Sequence, residues 1–334
     1  MTVAQKLFRF IFLFLALMLA IGAGVYAWGY SQFHQPGPLK SAKTIIVPRG
    51  AGVEQIASLL KNSGIIVSPL VFTVGVRLQR ISKGLQAGEF QFSAKMSARD
   101  VAAHLRSGKT VVRRVTIPEG LSTAEILTLL HRTEGLAGGV LKLMPIAEGT
   151  LLPETYHFSY GDSRESIIRR MRKNMSTTLN RLWPVREDGL PIQSQQEALI
   201  LASIVEKETA LAPERAKIAG VFINRLRKKM PLQSDPTVLY AVTQGQRTLD
   251  RPLSRADLAF ESPYNTYLHK KLPPGPICNP GEASLRAVLN PEKTDALYFV
   301  ADGKGGHAFA RTLKEHNRNV ARWRKWQRNQ KIKN

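Results

Sequence analysis

From Phe10 to Tyr26 the chain reads FIFLFLALMLAIGAGVY, with no charge and no polar face. A helix built from this stretch has nothing to show to water on any side, which argues against a surface helix, and seventeen such residues in succession favour a membrane over the core of a soluble protein. About 20 apolar residues cross a bilayer as a helix. Trp28 and Tyr30 follow at the place where an interfacial aromatic belt belongs. Lys6 and Arg9 precede the run and no lysine or arginine follows until Lys40. The positive-inside rule therefore puts the N-terminus in the cytoplasm and the rest across the membrane. A cleaved signal peptide is the competing reading, since Ala20 and Ala23 lie among small residues. The run is longer than the usual apolar core of such peptides, about 7–15 residues, so a retained anchor is favoured.

What lies beyond the anchor is long enough for at least one ordinary core, the chain having 334 residues of which 43% are hydrophobic. Lysine and arginine number 48 against 25 acidic residues, a formal charge of +23 that calls for a polyanion or an anionic surface as partner. Cys278 is the only cysteine, which excludes an intramolecular disulfide framework and any thiolate-rich metal site.

Gln32 to Ser41 is proline-bearing and aperiodic, as a linker would be. Thr44 to Val47 then reads as a strand, Pro48-Arg49-Gly50 as a turn, and Val53 to Lys61 as a helix closed by Gly64. Ser68-Pro69 opens a second helix through Ile81. Gly88 to Phe92 is strand-like, and Ser97 caps a helix that ends before Gly108. The opening recurs seventy residues on, Val47, Pro48, Gly50, Ile56, Leu59 and Leu60 matching Ile117, Pro118, Gly120, Ile126, Leu129 and Leu130. Such a strand, turn and amphipathic helix arises from common turn chemistry. It is also similar to a small carbohydrate-binding module of the LysM type. Ser163 to Trp183 forms a helix with one apolar stripe. The segment from Arg311 to Lys333 carries nine basic residues and one acid, interleaved with Trp323 and Trp326, and reads as a solvated helix or a surface for anionic lipid or polymer.

Glu197 to Thr209, EALILASIVEKET, has apolar residues around every face and so belongs in a core, yet it ends in Glu206, Lys207 and Glu208. A carboxylate beside Leu201, Ile204 and Val205 is partly desolvated, which raises its pKa toward the range of a general acid. An ion pair with Lys207, Arg215 or Arg225 would use the same acids structurally. Glu206 and Glu208 stand about 200° apart around a helix, so they cannot flank one bond as the paired carboxylates of ordinary glycosidases do. One must work alone, and Glu208, nearer the helix end, is the better placed.

Three loops follow: Leu232 to Thr237 with an Asp-Pro turn, Ser262 to Tyr267, and Leu272 to Gly281. Their tyrosines, amides and prolines suit a groove for sugar rings. The seven histidines are scattered and no His-Glu-x-x-His occurs, leaving no metal ligand set. Asp302 to His307 lacks the Lys-Ser/Thr pair of a phosphate loop, and Ser58-Leu59-Leu60-Lys61 sits mid-helix without the partner motifs of penicillin-binding enzymes.

Taken together, the residues resemble the endolytic murein transglycosylases with a YceG-like domain. The resemblance rests on Ala202 to Thr209, Val221 to Leu226, Leu232 to Thr237, Tyr264 to Tyr267, and Tyr298 to Gly303 with Gly305-Gly306-His307. It implies an α+β chain: a cytoplasmic start (1–9), a membrane helix (10–30), a linker (31–42), a LysM-like module (43–112), a mixed α+β catalytic domain (113–316) and a basic tail (317–334). It implies cleavage of peptidoglycan between N-acetylmuramic acid and N-acetylglucosamine without water, with no metal or cofactor. Glu208 would be the catalytic acid. Glu206, Gln233, Asp235, Thr237, Tyr264, Asn265 and Asn279 would contact substrate, with Glu206 also the reserve acid. The expected partners are glycan strands, the plasma membrane and peptidoglycan synthases (penicillin-binding proteins), not nucleic acid. A noncatalytic, membrane-tethered glycan binder is the alternative.

Overall fold

A computed structural model describes residues 3–139, 146–246 and 249–331. Its first element, helix α1 (Val3–His34), leaves the side chains of Leu7 to Tyr30 bare, and by length and composition it can cross a membrane once. The helix runs past the expected linker start because Phe33, in its last turn, finds a buried place, 4% exposed.

The chain divides into two compact units, one reaching Arg113 with Ser159–Gly161 added, the other formed by Arg114–Phe158 and the chain from Asp162 onward. The first unit contains α1, strand β1 (Lys43–Val47), helices α2 (Val53–Asn62) and α3 (Pro69–Leu78), strand β2 (Gly88–Phe92) and helix α4 (Ala98–Ser107). β1 and β2 pair antiparallel, Ile45 opposite Phe90. The helices bury Ile56, Leu60, Phe72, Val76 and Leu105 with Phe90 and Phe92. α3 stops at Leu78, earlier than the expected Ile81. Arg80 turns into the left-handed region at φ 57°, and the Ile81 N–H closes on the Val76 carbonyl at 3.1 Å, which carries Ile81 into the core.

Strand β3 (Val112–Thr116), which enters the second unit at Arg114, pairs with β4 (Thr155–Ser159). Helix α5 (Thr123–Arg132) is started by a Ser122–Glu125 capping box. The repeated turn has the same shape at both places, Gly50 at φ 79° and Gly120 at φ 77°, and in both copies the following helix buries its Ile and second Leu. Helix α6 (Arg164–Leu182), capped by Ser163, lays its apolar stripe across two cores. Ile167, Ile168 and Met171 join α5 and β4, whereas Met175, Leu179 and Leu182 join helix α7 (Gln195–Glu208). α7 is wrapped by helices α8 (Ala212–Arg227), α9 (Asp235–Thr243) and α11 (Glu282–Leu289), so eight successive residues from Ala198 to Val205 are buried. Between α9 and α11 lies the short helix α10 (Arg255–Leu258). Strands β5 (Tyr298–Ala301) and β6 (His307–Ala310) make a hairpin whose turn is held by Asp302, its carboxylate accepting the N–H groups of Lys304 and Gly306. Helix α12 (Leu313–Lys331) packs on that hairpin and stacks Trp323 on Trp326, ring centroids 5.0 Å apart.

Candidate active site

Glu208 is the last residue of α7, half-buried where the helix leaves its core. Ser194 caps the other end, its hydroxyl accepting the Glu197 N–H at 3.1 Å. The core around Leu201, Ile204 and Val205 therefore fixes where the Glu208 carboxyl emerges. Its Oε1 accepts a hydrogen bond from the Ser234 hydroxyl at 2.5 Å; Oε2 has no hydrogen-bond partner among the described residues. Burial pushes this carboxyl up to about 7. The Ser234 hydroxyl pulls the other way, the Asp235 charge raises it further, and His307 and Arg225 favour the ionised form.

Ser234 is itself anchored from all sides. It sits at the N-cap of α9, with Asp235 and Pro236 in the first turn, so Asp-Pro opens a helix here rather than forming the expected turn. Its N–H donates to Thr266 Oγ1 at 3.0 Å, and its carbonyl accepts from Thr237 Oγ1 at 2.7 Å. Gln233, just before it, holds a left-handed φ of 48° and donates its N–H to the Thr266 carbonyl at 3.1 Å. That turn leaves the Gln233 side chain exposed while Ser234 points inward. Asp235, also exposed, accepts a 2.5 Å hydrogen bond from the Tyr267 hydroxyl, whose ionisation is pushed up by burial and by that bond.

Two buried cations stand on α8, Arg225 acting on Glu208 and Arg215 facing Glu206. Arg225 donates Nε to the Leu297 carbonyl and Nη1 to the Leu232 carbonyl, both at 2.7 Å, clasping the segments before β5 and α9. Arg215 lies 3.4 Å from Glu206 and 3.6 Å from Glu119. On the hairpin, His307 Nδ1 lies 2.6 Å from Glu214 Oε2, and its N–H donates to Glu214 Oε1 at 2.9 Å.

Four of the expected contact residues have their polar atoms engaged inside the protein. Glu206 faces Arg215 and accepts the Gly281 N–H at 2.9 Å, its side chain only 4% exposed. Thr237 shares a 2.8 Å hydrogen bond with Thr266. Asn265 donates to the Leu258 and Phe260 carbonyls and accepts the Tyr267 N–H, which aims Tyr267 at Asp235. Asn279 accepts the Leu151 N–H and donates to the Leu121 carbonyl, Thr123 and Glu148. Thr237, Asn265 and Asn279 are fully buried. Tyr264 is half-buried with its ring 4.9 Å from that of Tyr240, beside Gly275, where a methyl group would lie 2.8 Å from the Tyr264 hydroxyl. The residues gathered around Glu208 are thus Ser234, Asp235, Tyr267, Arg225 and His307, while Tyr264 and Asn279 belong to a neighbouring set with Glu148. Sequence reasoning passed over Ser234, Tyr267, Arg225 and His307 as individual site residues; the signal for Ser234 was its place before Asp-Pro, a helix start.

Among the described residues no three His, Cys, Asp or Glu side chains gather as metal ligands. A groove of about 870 Å³ beside α8, lined by Lys217, Asn224, Arg227 and Glu292, includes none of the residues around Glu208.

Fold and site together define a mixed α+β protein with an N-terminal helix able to cross a membrane and one carboxyl poised to exchange a proton near neutral pH. The chain belongs to the YceG-like family, whose model matches residues 45–322. It is 36% identical over 309 residues to the endolytic murein transglycosylase of Bacillus subtilis (strain 168), covering 84% of each chain. With the endolytic murein transglycosylase of Streptococcus pneumoniae serotype 2 (strain D39 / NCTC 7466) the identity is 30%, over 95% of this chain and 65% of that one. The 2.6 Å crystal structure of a yceG-like protein from Listeria monocytogenes is similar with a TM-score of 0.51 and 31% identity, over 84% of this chain and 99% of that one.

Proposed function

We propose that the chain is an endolytic peptidoglycan lytic transglycosylase, cutting glycan strands between N-acetylmuramic acid and N-acetylglucosamine and so ending strand elongation. The observation that carries the reading is Glu208: one half-buried carboxyl, raised to about 7, with one oxygen held by Ser234 and the other without a hydrogen-bond partner among the described residues. Such a group gives and takes a proton in one cycle. Protonated Glu208 donates to the glycosidic oxygen as the bond to the muramoyl carbon breaks, leaving oxocarbenium character there. The resulting carboxylate then removes the proton of the muramoyl 6-hydroxyl, whose oxygen attacks the same carbon and closes a 1,6-anhydro ring. An internal nucleophile can reach an effective molarity of about 10⁵ M or more, which replaces a second carboxylate and a water.

Gln233, Asp235 and Tyr264 are the proposed sugar contacts, their side chains being exposed or half-buried. Glu206, Thr237, Asn265 and Asn279 hold the loops in place. Tyr267 orients Asp235. In this reading α1 anchors the chain in the plasma membrane with its N-terminus in the cytoplasm, and the two folded units lie outside, near the synthases that make the strands. The β-α-α-β order of the first unit supports a LysM-like module that grips acetylated glycan.

Digestion of purified wall in heavy-oxygen water tests the chemistry. Anhydromuramoyl ends without label are expected, because the attacking oxygen comes from the sugar. Labelled reducing ends would mean hydrolysis, with Asp235 the first candidate for a second working carboxylate.

A further inference from the structure

Helix α3 is apolar on both sides. Its inner face, Phe72 and Val76, fills the core of the first unit, and its outer face carries Leu70, Val74 and Leu78 at 71%, 44% and 68% exposure. Residues spaced i, i+4, i+8 fall on one stripe of a helix. Val67, just before the helix, is exposed as well. A continuous row of large aliphatic side chains this open on a small unit marks a surface that is covered in use.

The neighbourhood names the cover. α3 lies against the C-terminal part of α1, so close that a methyl group at Gly75 would come within 2.5 Å of the Phe33 ring. Between the two helices runs an apolar groove of about 700 Å³, lined by Tyr26, Trp28 and Tyr30 from α1 and by Leu70, Val74 and Leu78 from α3. The α1 aromatics are the expected interfacial belt. Counting from Phe10 at about 1.5 Å per residue, a bilayer core about 30 Å thick ends near Tyr30. The stripe therefore stands level with the belt, at the depth where acyl chains meet headgroups. Exposed cations lie near it, Arg80 beyond the helix end and Arg99 at the groove, suited to lipid phosphates, while Arg77 is paired with Glu54.

Resting on the reading of α1 as a membrane anchor, we infer that the Leu70–Val74–Leu78 face of α3 is an interfacial membrane-docking surface, seated in the leaflet at the C-terminal end of α1. The first unit is then held on the bilayer at two places, the spanning helix and the lying one, which fixes its tilt instead of leaving it to swing from a single stalk.

The test uses the full chain in nanodiscs of phosphatidylethanolamine and phosphatidylglycerol, on a Cys278→Ser background, with single labels at Val74→Cys, at Leu17→Cys in the anchor and at Ser58→Cys on the exposed side of α2. Nitroxide-bearing lipid should quench the Val74 label nearly as well as the Leu17 label, and at least about fivefold more than the Ser58 label. Quenching at Leu17 with Val74 no better than Ser58 would overturn the docking surface and leave the anchor standing. If the particle mass also showed two chains, a second copy would cover the stripe instead. No quenching at Leu17 would remove the anchor reading, and the docking surface with it.

Discussion

Glu206 and Glu208 leave α7 two residues apart and end in different surroundings. The first meets Arg215 and the Gly281 N–H, the second the Ser234 hydroxyl. One helix end thus carries an acid tied into the structure and the acid proposed to do the chemistry, separated by the helical turn itself.

This separation sets the first expectation. Glu208→Gln keeps size and the Ser234 contact but cannot transfer a proton, so glycan cleavage should fall by at least about 10²-fold with the fold intact. Glu206→Gln instead weakens a buried pair beside Arg215 and should cost about 1–3 kcal/mol of stability while activity per folded molecule is largely kept. Denaturant titration alongside a wall-digestion assay separates the two; full activity in Glu208→Gln would move the site.

The pH profile is the second. With the Glu208 carboxyl at about 7, kcat/KM should fall as pH rises through about 7 and the acid form is lost. The Ser234 hydroxyl favours the ionised form, so Ser234→Ala should move this limb to higher pH. A limb that stays put, or moves down, would detach Ser234 from the acid.

Stability must follow the same proton. The folded chain holds it up to about 7, the unfolded chain only to its ordinary value of 4.5, so the folded state binds more protons between the two. Wild-type stability therefore drops as pH rises through that window, and Glu208→Gln does not share the drop. At pH 8 the variant should be the more stable by on the order of 1–3 kcal/mol, with the advantage gone near pH 4. Thermal melts at both values check it.

For topology, a reporter fused after Asn334 should be active only across the membrane, and the chain should stay in the membrane fraction after alkaline washing, because Lys6 and Arg9 precede the apolar run. A C-terminal fusion active in the cytoplasm would reverse the assignment.

Much of this was legible in local pattern. The all-round apolar run of α7 announced its burial, and the position of Glu208 at its end announced a partly desolvated carboxyl. The partners of that carboxyl were not, because they come from 26 residues away at Ser234 and, through Asp235, a further 32 at Tyr267, distances set by how the loops return. Asp235-Pro236 reads as a turn when Pro is taken alone, yet Ser-Asp-Pro is also a helix start, and burial of Val238 and Ala241 decides for the helix. The asparagines read differently in the fold: Asn265 and Asn279 have the right chemistry for sugars, but their buried amides are engaged by backbone carbonyls. Arg80 ends α3 with no glycine or proline to signal it.

Asn279 has one more consequence, in the order of assembly. Its side chain joins positions near residues 121, 148 and 151 to a loop as many as 158 residues further along. Synthesis runs from the N-terminus, so α5 and the segment after it emerge long before the amide that completes them. Until residue 279 arrives, the Leu121 carbonyl and the Leu151 N–H keep water for partners, and the second unit cannot close. The first unit, with its core complete by Leu105, has no such wait. The nascent chain should therefore protect its first unit from protease early and its second all at once, near the end.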